Sequence, residues 1–530
     1  MKSFPDASFK NFCDFCKNNV SLLIATTLIL FFCYGIKLFQ YSIGIDVEQF
    51  MVDKSGIFGV NISVGRFGSN LLVWLLHIKE FNPFTAFLST FCLIWLFTIS
   101  HAYIIAIFCK NTGKNNELIP FALVFASSPI WAEQFYFVHQ AREVALMVLL
   151  CPYTTYIMFR GFIENKKGEI IFAFLSLVFM TSVYQAMVPF FCCGAFICFM
   201  LFLEGSDYEQ KIYRNLCLKI FTMLVCAMLA YAIIDRILMP SIFNMEKIQY
   251  FDDMNKWGHI SIKENIIRIL SFAYTITIGG VPQIQDIVNP IIALNAGMEK
   301  AERITNVSKV FGNILLLPLA LLFIVKSINS ARKTPLYIIA AIFIPLSIMF
   351  LAILGGNMPP IRAIYVLPLA FAFMFFFLIK NYSNKYRIAI ICLALFTAAY
   401  QAQITAQLFY SDQLRYNEDV RLAYEIRGII GNENLPIAII GKYKVAEKFH
   451  ANFLQGEVIG NSFFEWGKDA REATERSLGF MHCLGINFNA PNDEQLKIAI
   501  YEATYMPSYP NSGFVKKLPD MIVVKLSDFN

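Results

Sequence analysis

"VSLLIATTLILFFCYGIKLF", Val20 to Phe39, carries one charge, Lys37, in twenty residues. About twenty apolar residues in an α-helix cross the roughly 30 Å hydrocarbon core of a bilayer. Lys2, Lys10 and Lys17 precede the stretch and no small-residue cleavage site follows it, so it reads as a retained first span and not as a signal peptide. Comparable runs recur to about residue 409, where the composition changes abruptly to that of a soluble domain.

The whole chain agrees with this reading. Of its 530 residues 57% are hydrophobic and 15% charged, and 53 are Phe, far from soluble usage. The net charge of +6 sits in short connections, where topology explains it without a nucleic-acid partner. Most of the 13 cysteines, such as Cys192, Cys193 and Cys226, lie inside apolar runs as small fillers. Cys13 and Cys16 form a lone C-x-x-C with no second pair, and Cys483 is alone in the C-terminal region, which argues against a disulfide framework there.

Apolar runs place spans near residues 20–39, 84–109, 119–137, 143–162, 169–184, 186–204, 216–236, 308–328, 336–354, 363–380 and 388–408, eleven in all. With residues 1–19 in the cytoplasm, alternate connections carry Lys110 and Lys114, Lys166 and Lys167, Lys211 and Arg214, Arg332 and Lys333, and Lys380, Lys385 and Arg387. The positive-inside rule makes that side cytoplasmic, so the loops 41–82 and 237–307 lie outside with everything after residue 409. Pro189 and the Tyr184-Gln185 pair favour a break between the fifth and sixth spans. "SFAYTITIGGVPQ", Ser271 to Gln283, reads as interfacial or re-entrant; a full span there would move Arg332, Lys333, Lys385 and Arg387 outside.

The fold class is therefore a polytopic α-helical membrane protein, with a transmembrane domain over 20–409 and an external α/β domain over 410–530. In the latter, "SDQLRYNEDVRLAYEIRGII" is an amphipathic helix leading into a strand at Ile437–Ile440, bounded by Pro436 and Gly441. A helix around "DEQLKIAIYEA" and a second strand, Met521–Leu526, follow.

One external stretch stands out. In "YSIGIDVEQF", Tyr41 to Phe50, the carboxylates Asp46 and Glu48 are set among apolar residues, whereas Asp53 and Lys54 just beyond resemble an ordinary solvated loop. At a wet membrane surface an ionised carboxylate costs little, so a merely solvated loop is one reading. The other is a site, because "GRFGSNLLVWLLHIK", Gly65 to Lys79, puts Arg66, Ser69, Asn70 and His77 on one face of an interfacial helix with Leu71, Trp74 and Leu75 elsewhere. A guanidinium at headgroup level could stabilise a departing phosphate while a carboxylate accepts a proton from an attacking hydroxyl.

"GIDVEQF" and "GRFGSNLL", then "SVYQAMVPFF" at Ser182 to Phe191, then "NSFFEWGKDAR", "MPSYP" and "IVVKLSDFN", resemble the type II glucosyl transferase family of bacterial membrane enzymes over nearly the whole chain. That resemblance implies a C-type glycosyltransferase-like bundle in the inner membrane, acting in O-antigen or related cell-envelope glycan modification. It implies a polyprenyl-phosphate sugar, glucose, as donor and an envelope glycan as acceptor, with a donor-synthesising glycosyltransferase and a flippase in the same pathway. By position it makes Asp46 catalytic with Glu48 as companion. Some members have two adjacent acids, whereas Val47 intervenes here, which leaves open which carboxylate is the base and whether Mg²⁺ or Mn²⁺ joins them.

Arg362 after "GGNMPP" and Arg142 after "FVHQ" are further phosphate candidates or plain helix-end anchors. Glu133, Gln140, Tyr184, Gln185 and Trp466 are candidates for sugar contacts; equally, Glu133 could pair with Arg142 and Tyr184 belong to an interfacial aromatic belt. His77, His101 and His139 lack metal-ligand spacing, and the Asn306-Val307-Ser308 sequon means nothing in a bacterium. With no Gly-rich phosphate loop and only short cytoplasmic connections, a nucleotide-sugar donor is disfavoured. Two competing functions share the multi-span plan. A lipid-linked-sugar flippase would keep ionisable groups near the midplane, where the predicted spans have almost none; a glycan polymerase differs only in its product.

Overall fold

The computed structural model describes residues 4, 6–52, 54–76, 82–205, 209–244, 255–278, 312–330, 334–431, 433–449, 453–467 and 469–528. His77, Asp53, the sequon and most of the 237–307 loop fall outside these residues. The chain divides into two compact units, one formed by residues 1–35 and 58–405 and the other by residues 36–57 and 406–530.

In the larger unit each predicted apolar run contains helix among its described residues. Seven described helices are long and apolar enough to cross a membrane, and eight if the bent pair Leu118–Ser127 and Pro129–Tyr136 is one span. The difference from eleven lies in that broken segment and in three shorter helices, Lys167–Val183, Leu316–Ser330 and Val366–Asn381. The break has a local cause. Pro129 lacks an N–H and disfavours helical geometry at Ser128, whose ψ is 128°. The interrupted backbone is re-satisfied from outside the helix: the Trp131 indole N–H donates to Phe125 O at 2.7 Å, and Thr405 Oγ1 donates to Ser127 O at 3.2 Å.

Helices Val366–Asn381 and Met187–Gly205 are buried on most sides, as their uninterrupted apolar sequences require, whereas Gln210–Ile233 leaves Leu218, Phe221, Val225 and Leu229 exposed. A π-helical turn, Ile234–Leu238, carries Asp235 and Arg236 at the end of that helix. Charges flanking the helices are mostly paired. Arg160 holds Glu169 at 2.7 Å, Lys380 holds Glu204 at 2.8 Å, and Arg387 holds Glu117 at 3.0 Å.

The smaller unit is built on a three-stranded sheet, β1 (Ile437–Ile440), β2 (Val515–Lys517) and β3 (Ile522–Lys525), in the order β1-β3-β2. The central strand β3 pairs parallel with β1 and antiparallel with β2, registering Ala438 with Val523 and Lys516 with Val523. The two buried strands are the apolar ones; Lys516 and Lys517 lie exposed on the edge strand, where charge discourages further pairing. Ala438, Ile440, Leu496, Ala499, Met521 and Val523 form the core beneath helix Asp493–Ala503, whose start is fixed by an Asn492–Gln495 capping box. Helix Ala470–Cys483 and strand β2 are elements that the apolar pattern did not announce.

Residues 36–57 join this unit through a buried polar network. Ser42 Oγ donates to Asp412 Oδ2 at 2.6 Å, and the Arg415 guanidinium donates to Ile43 O at 2.9 Å, to Asp412 at 2.5 Å and to Asp419 at 3.2 Å. Lys37 lies 3.5 Å from Asp412, and Ser462 Oγ donates to Asp419 at 2.5 Å. A fully buried guanidinium is tolerated only with this degree of compensation.

Candidate functional site

The acidic stretch is ordered by its own side chains. Ile43, Ile45 and Val47 are buried, and between them Asp46 adopts a φ of 72°, a left-handed conformation that Asp tolerates better than most residues. Glu48 follows in the short helix Val47–Val52. Ile45 and Val47 point into the protein while the Asp46 side chain, 38% exposed, reaches the surface of this unit.

Against this stretch packs helix Ala470–Cys483, started by Asp469, whose carboxylate accepts from Glu472 N at 2.9 Å. Glu472, Arg476, Gly479 and Cys483 recur at spacings of four, three and four, which sets them on one face. Arg476 Nη1 donates to Asp46 Oδ1 at 2.7 Å and to Glu48 Oε1 at 2.6 Å. One turn on, a Cβ at Gly479 would meet Glu48 Cγ at 3.2 Å, so glycine permits the close approach. Cys483 Sγ lies 3.9 Å from Glu48 O, and Glu472 lies 4.0 Å from Arg476 Nε.

The two carboxylates differ in surroundings. Glu48 is fully buried, its Oε2 has no hydrogen-bond partner, and burial pushes its pKa up to about 7 despite the opposing effect of Arg476. Asp46 keeps contact with solvent. Burial likewise pushes the Cys483 thiol up to about 11, so it is not a ready nucleophile. Arg476 supplies a positive charge between the carboxylates, and a divalent cation bridging them would have to displace it; the donor set therefore does not fit Mg²⁺ or Mn²⁺ held by Asp46 and Glu48 together. Among the described residues no group of three or more His, Cys, Asp or Glu is arranged to hold a metal ion.

The other predicted residues lie in the larger unit, except Trp466, half-buried in the turn after Ser462 in the smaller one. Arg66 stands at the start of helix Phe67–Leu75, after Gly65, whose φ is 75°. A Cβ at Gly65 would lie 2.5 Å from Tyr231 Oη, so only glycine allows the chain to turn here. Tyr231 Oη donates to Gly65 O at 3.0 Å, and Gln185 Nε2 donates to Val64 O at 2.9 Å. The turn thus delivers Arg66 to Gln140 Oε1 at 3.1 Å and over the Tyr184 ring at 4.7 Å. The helix buries Gly68, Ser69 and Leu72 and exposes Leu71, Trp74 and Leu75, an apolar outer face suited to lipid.

From Tyr184 the contacts run on through aromatic rings, to Tyr365 at 5.9 Å and from there to Trp131 at 5.8 Å. Arg362 lies over the Phe137 ring at 5.2 Å. Glu133 and Gln140 lie in helix Pro129–Tyr136 and the first turn of Val138–Glu164, with Trp131, Glu133 and Gln134 fully buried. Here the side-chain amide of Gln134, the Glu143 carboxylate, Arg66 Nε and Arg142 Nε are buried without hydrogen-bond partners. Such groups are costly in an apolar bundle unless a ligand satisfies them. Glu143 and Gln134 were not singled out from the sequence, where each is one polar residue in a mixed segment.

Arg476 was missed as well, because its partners lie 430 and 428 positions away. Comparison with curated proteins gives no match. A family model does match, described as Glucosyl transferase GtrII, over residues 35–379. That span contains the acidic stretch, Arg66, Gln140, Tyr184 and Arg362, and it ends before the helix that carries Arg476. It covers well over half of the chain, which therefore belongs to the glucosyl transferase GtrII family and is a membrane glycosyltransferase.

Proposed function

We propose that the protein moves a hexose, glucose, from a polyprenyl-phosphate donor to a hydroxyl of an envelope glycan such as O-antigen, on the extracytoplasmic side of a bacterial inner membrane. Asp46 acts as general base. Its carboxylate takes the proton of the acceptor hydroxyl, the acceptor oxygen bonds to the anomeric carbon, and the bond from that carbon to the phosphate oxygen breaks with its electron pair leaving on polyprenyl phosphate. The observation that carries this reading is the buried Glu48 and half-exposed Asp46 held on one guanidinium, within a family of glucosyl transferases.

The Arg66 cluster supports a donor site. A guanidinium braced by Gln140 and Tyr184, with aromatic rings and unpartnered polar groups on the same helices, suits a phosphate joined to a sugar. Arg142 and Arg362 would extend the phosphate contacts, Glu133, Gln140, Tyr184 and Gln185 the sugar contacts, and Trp466 a surface for the acceptor. A flippase reading gains nothing from an acid–base pair outside the predicted spans.

The test supplies radiolabelled polyprenyl-phosphate glucose to membranes containing wild-type or Asp46→Asn protein at equal levels. Wild type labels an envelope polymer, and Asp46→Asn lowers the rate by about 100- to 10,000-fold, the range of general-base catalysis. Near-normal transfer by Asp46→Asn would remove Asp46 from the role of base.

A further inference from the structure

Arg476 is the least expected member of the carboxylate cluster. It comes from the C-terminal domain, outside the segment that matches the family, and a single nitrogen of its guanidinium bonds both acids at 2.6–2.7 Å. Its side chain is only 12% exposed, so these contacts are little screened by water. Helix Ala470–Cys483 is packed closely enough to aim it, with Gly479 against Glu48 and Ser477 donating to Phe463 O at 3.3 Å.

We propose that Arg476 is the positioning residue of the transfer: it fixes Asp46 by one carboxylate oxygen, leaves the other oxygen free for the acceptor hydroxyl, and ties Asp46 and Glu48 into one charge-compensated group. This rests on the reading of Asp46 as the base. Three observations support it. Asp46 is bonded through Oδ1, which orients the carboxylate without enclosing it. Its backbone is in the left-handed region, a conformation that persists when surrounding contacts hold it. Among the described residues the groups facing the trio include Glu472 and Cys483 from the same helix and the Glu48 main chain, and Arg476 is the cation bonded to both acids.

The chemistry gives the arrangement a purpose. A base that accepts a proton in the transition state must be ionised beforehand and held at a defined angle. Near neutral pH the buried Glu48 is close to its titration point, so the trio can be neutral overall or carry one negative charge. Arg476 couples that choice to Asp46.

The experiment compares wild-type, Arg476→Lys and Arg476→Ala full-length proteins in lipid nanodiscs, by steady-state transfer over pH 5.5–9. Alongside, labelling of Asp46 with a carbodiimide and a tagged amine is read by mass spectrometry. The expected result for Arg476→Ala is a kcat about 100-fold lower with donor KM unchanged, and an acidic limb of the pH profile about one pH unit or more higher. Arg476→Lys restores part of the rate, and Asp46 labelling rises several-fold in Arg476→Ala. Unchanged labelling overturns the proposal. So does a raised donor KM at constant kcat, which would make Arg476 a donor ligand. If wild type transfers no sugar while the labelling changes as expected, the functional reading fails and the structural part of the inference stands.

Discussion

At the scale of single residues, the pair Asp46 and Glu48 shows how two carboxyl groups two positions apart come to differ. Strand-like alternation of buried Ile45 and Val47 would put both acids on the same exposed side; the left-handed Asp46 and the helix that starts at Val47 turn Glu48 inward instead. Burial then raises the Glu48 pKa from 4.5 to about 7. A carboxyl raised on folding contributes stability that is complete below the unfolded value and is lost as pH rises through the folded one. The protein should therefore lose roughly 3 kcal/mol of stability between pH 4.5 and about 7 through this one group, and Glu48→Gln should remove that slope. Melting temperatures in detergent at pH 5 and pH 8 check it: the wild-type drop should shrink in Glu48→Gln, and identical drops would show that Glu48 is ionised throughout. The sequence made both acids visible as candidates, because charges among apolar residues are conspicuous. It could not divide their surroundings, since that depends on one backbone angle and on a distant helix.

At the scale of elements, the legible features are those written in local period. Apolar runs located the long apolar helices of the larger unit, though not helix Ile262–Ile278, and short apolar segments beside Pro436 and Pro519 located β1 and β3. Helix Ala470–Cys483 was not legible, because its buried positions are mainly Ala, Ser and Thr and its sequence reads as polar. The broken segment 118–136 is an intermediate case: the apolar content was plain, the break at Pro129 was not drawn. The network around Arg415 is a consequence of elements meeting and has no local signature. Removing its guanidinium would take a buried cation away from Asp412 and Asp419, both fully buried, leaving Asp412 to contacts that include Ser42 and Lys37 and Asp419 to Ser462 Oγ and Phe463 N. Arg415→Ala should cost about 3–5 kcal/mol, seen as a lower melting temperature and as increased proteolysis of residues 406–530. A change below about 1 kcal/mol would mean that the carboxylates simply take up protons.

At the scale of the whole molecule, the division into units cuts across the chain's order. Residues 36–57 belong with 406–530, so the acidic stretch that follows the first apolar helix is built into a domain whose sequence comes 350 residues later. The proposed reaction requires that domain to lie outside, as the positive-inside reading of the sequence expects. Lys110, Lys166, Lys380 and Arg387 flank alternate apolar helices, and in the structure Lys166 pairs with Glu164, Lys380 with Glu204 and Arg387 with Glu117, consistent with solvated helix ends. The proposed transfer takes place on the outer face, so an enzyme with Asp46 inside could not perform it. Protease added to spheroplasts should therefore remove an epitope placed after Asn530 and spare one inserted between Lys110 and Lys114, and lysis should expose both. Protection of the C-terminal epitope in intact spheroplasts would put Asp46, which shares a unit with that domain, on the cytoplasmic side and would defeat the extracytoplasmic reaction whatever the family.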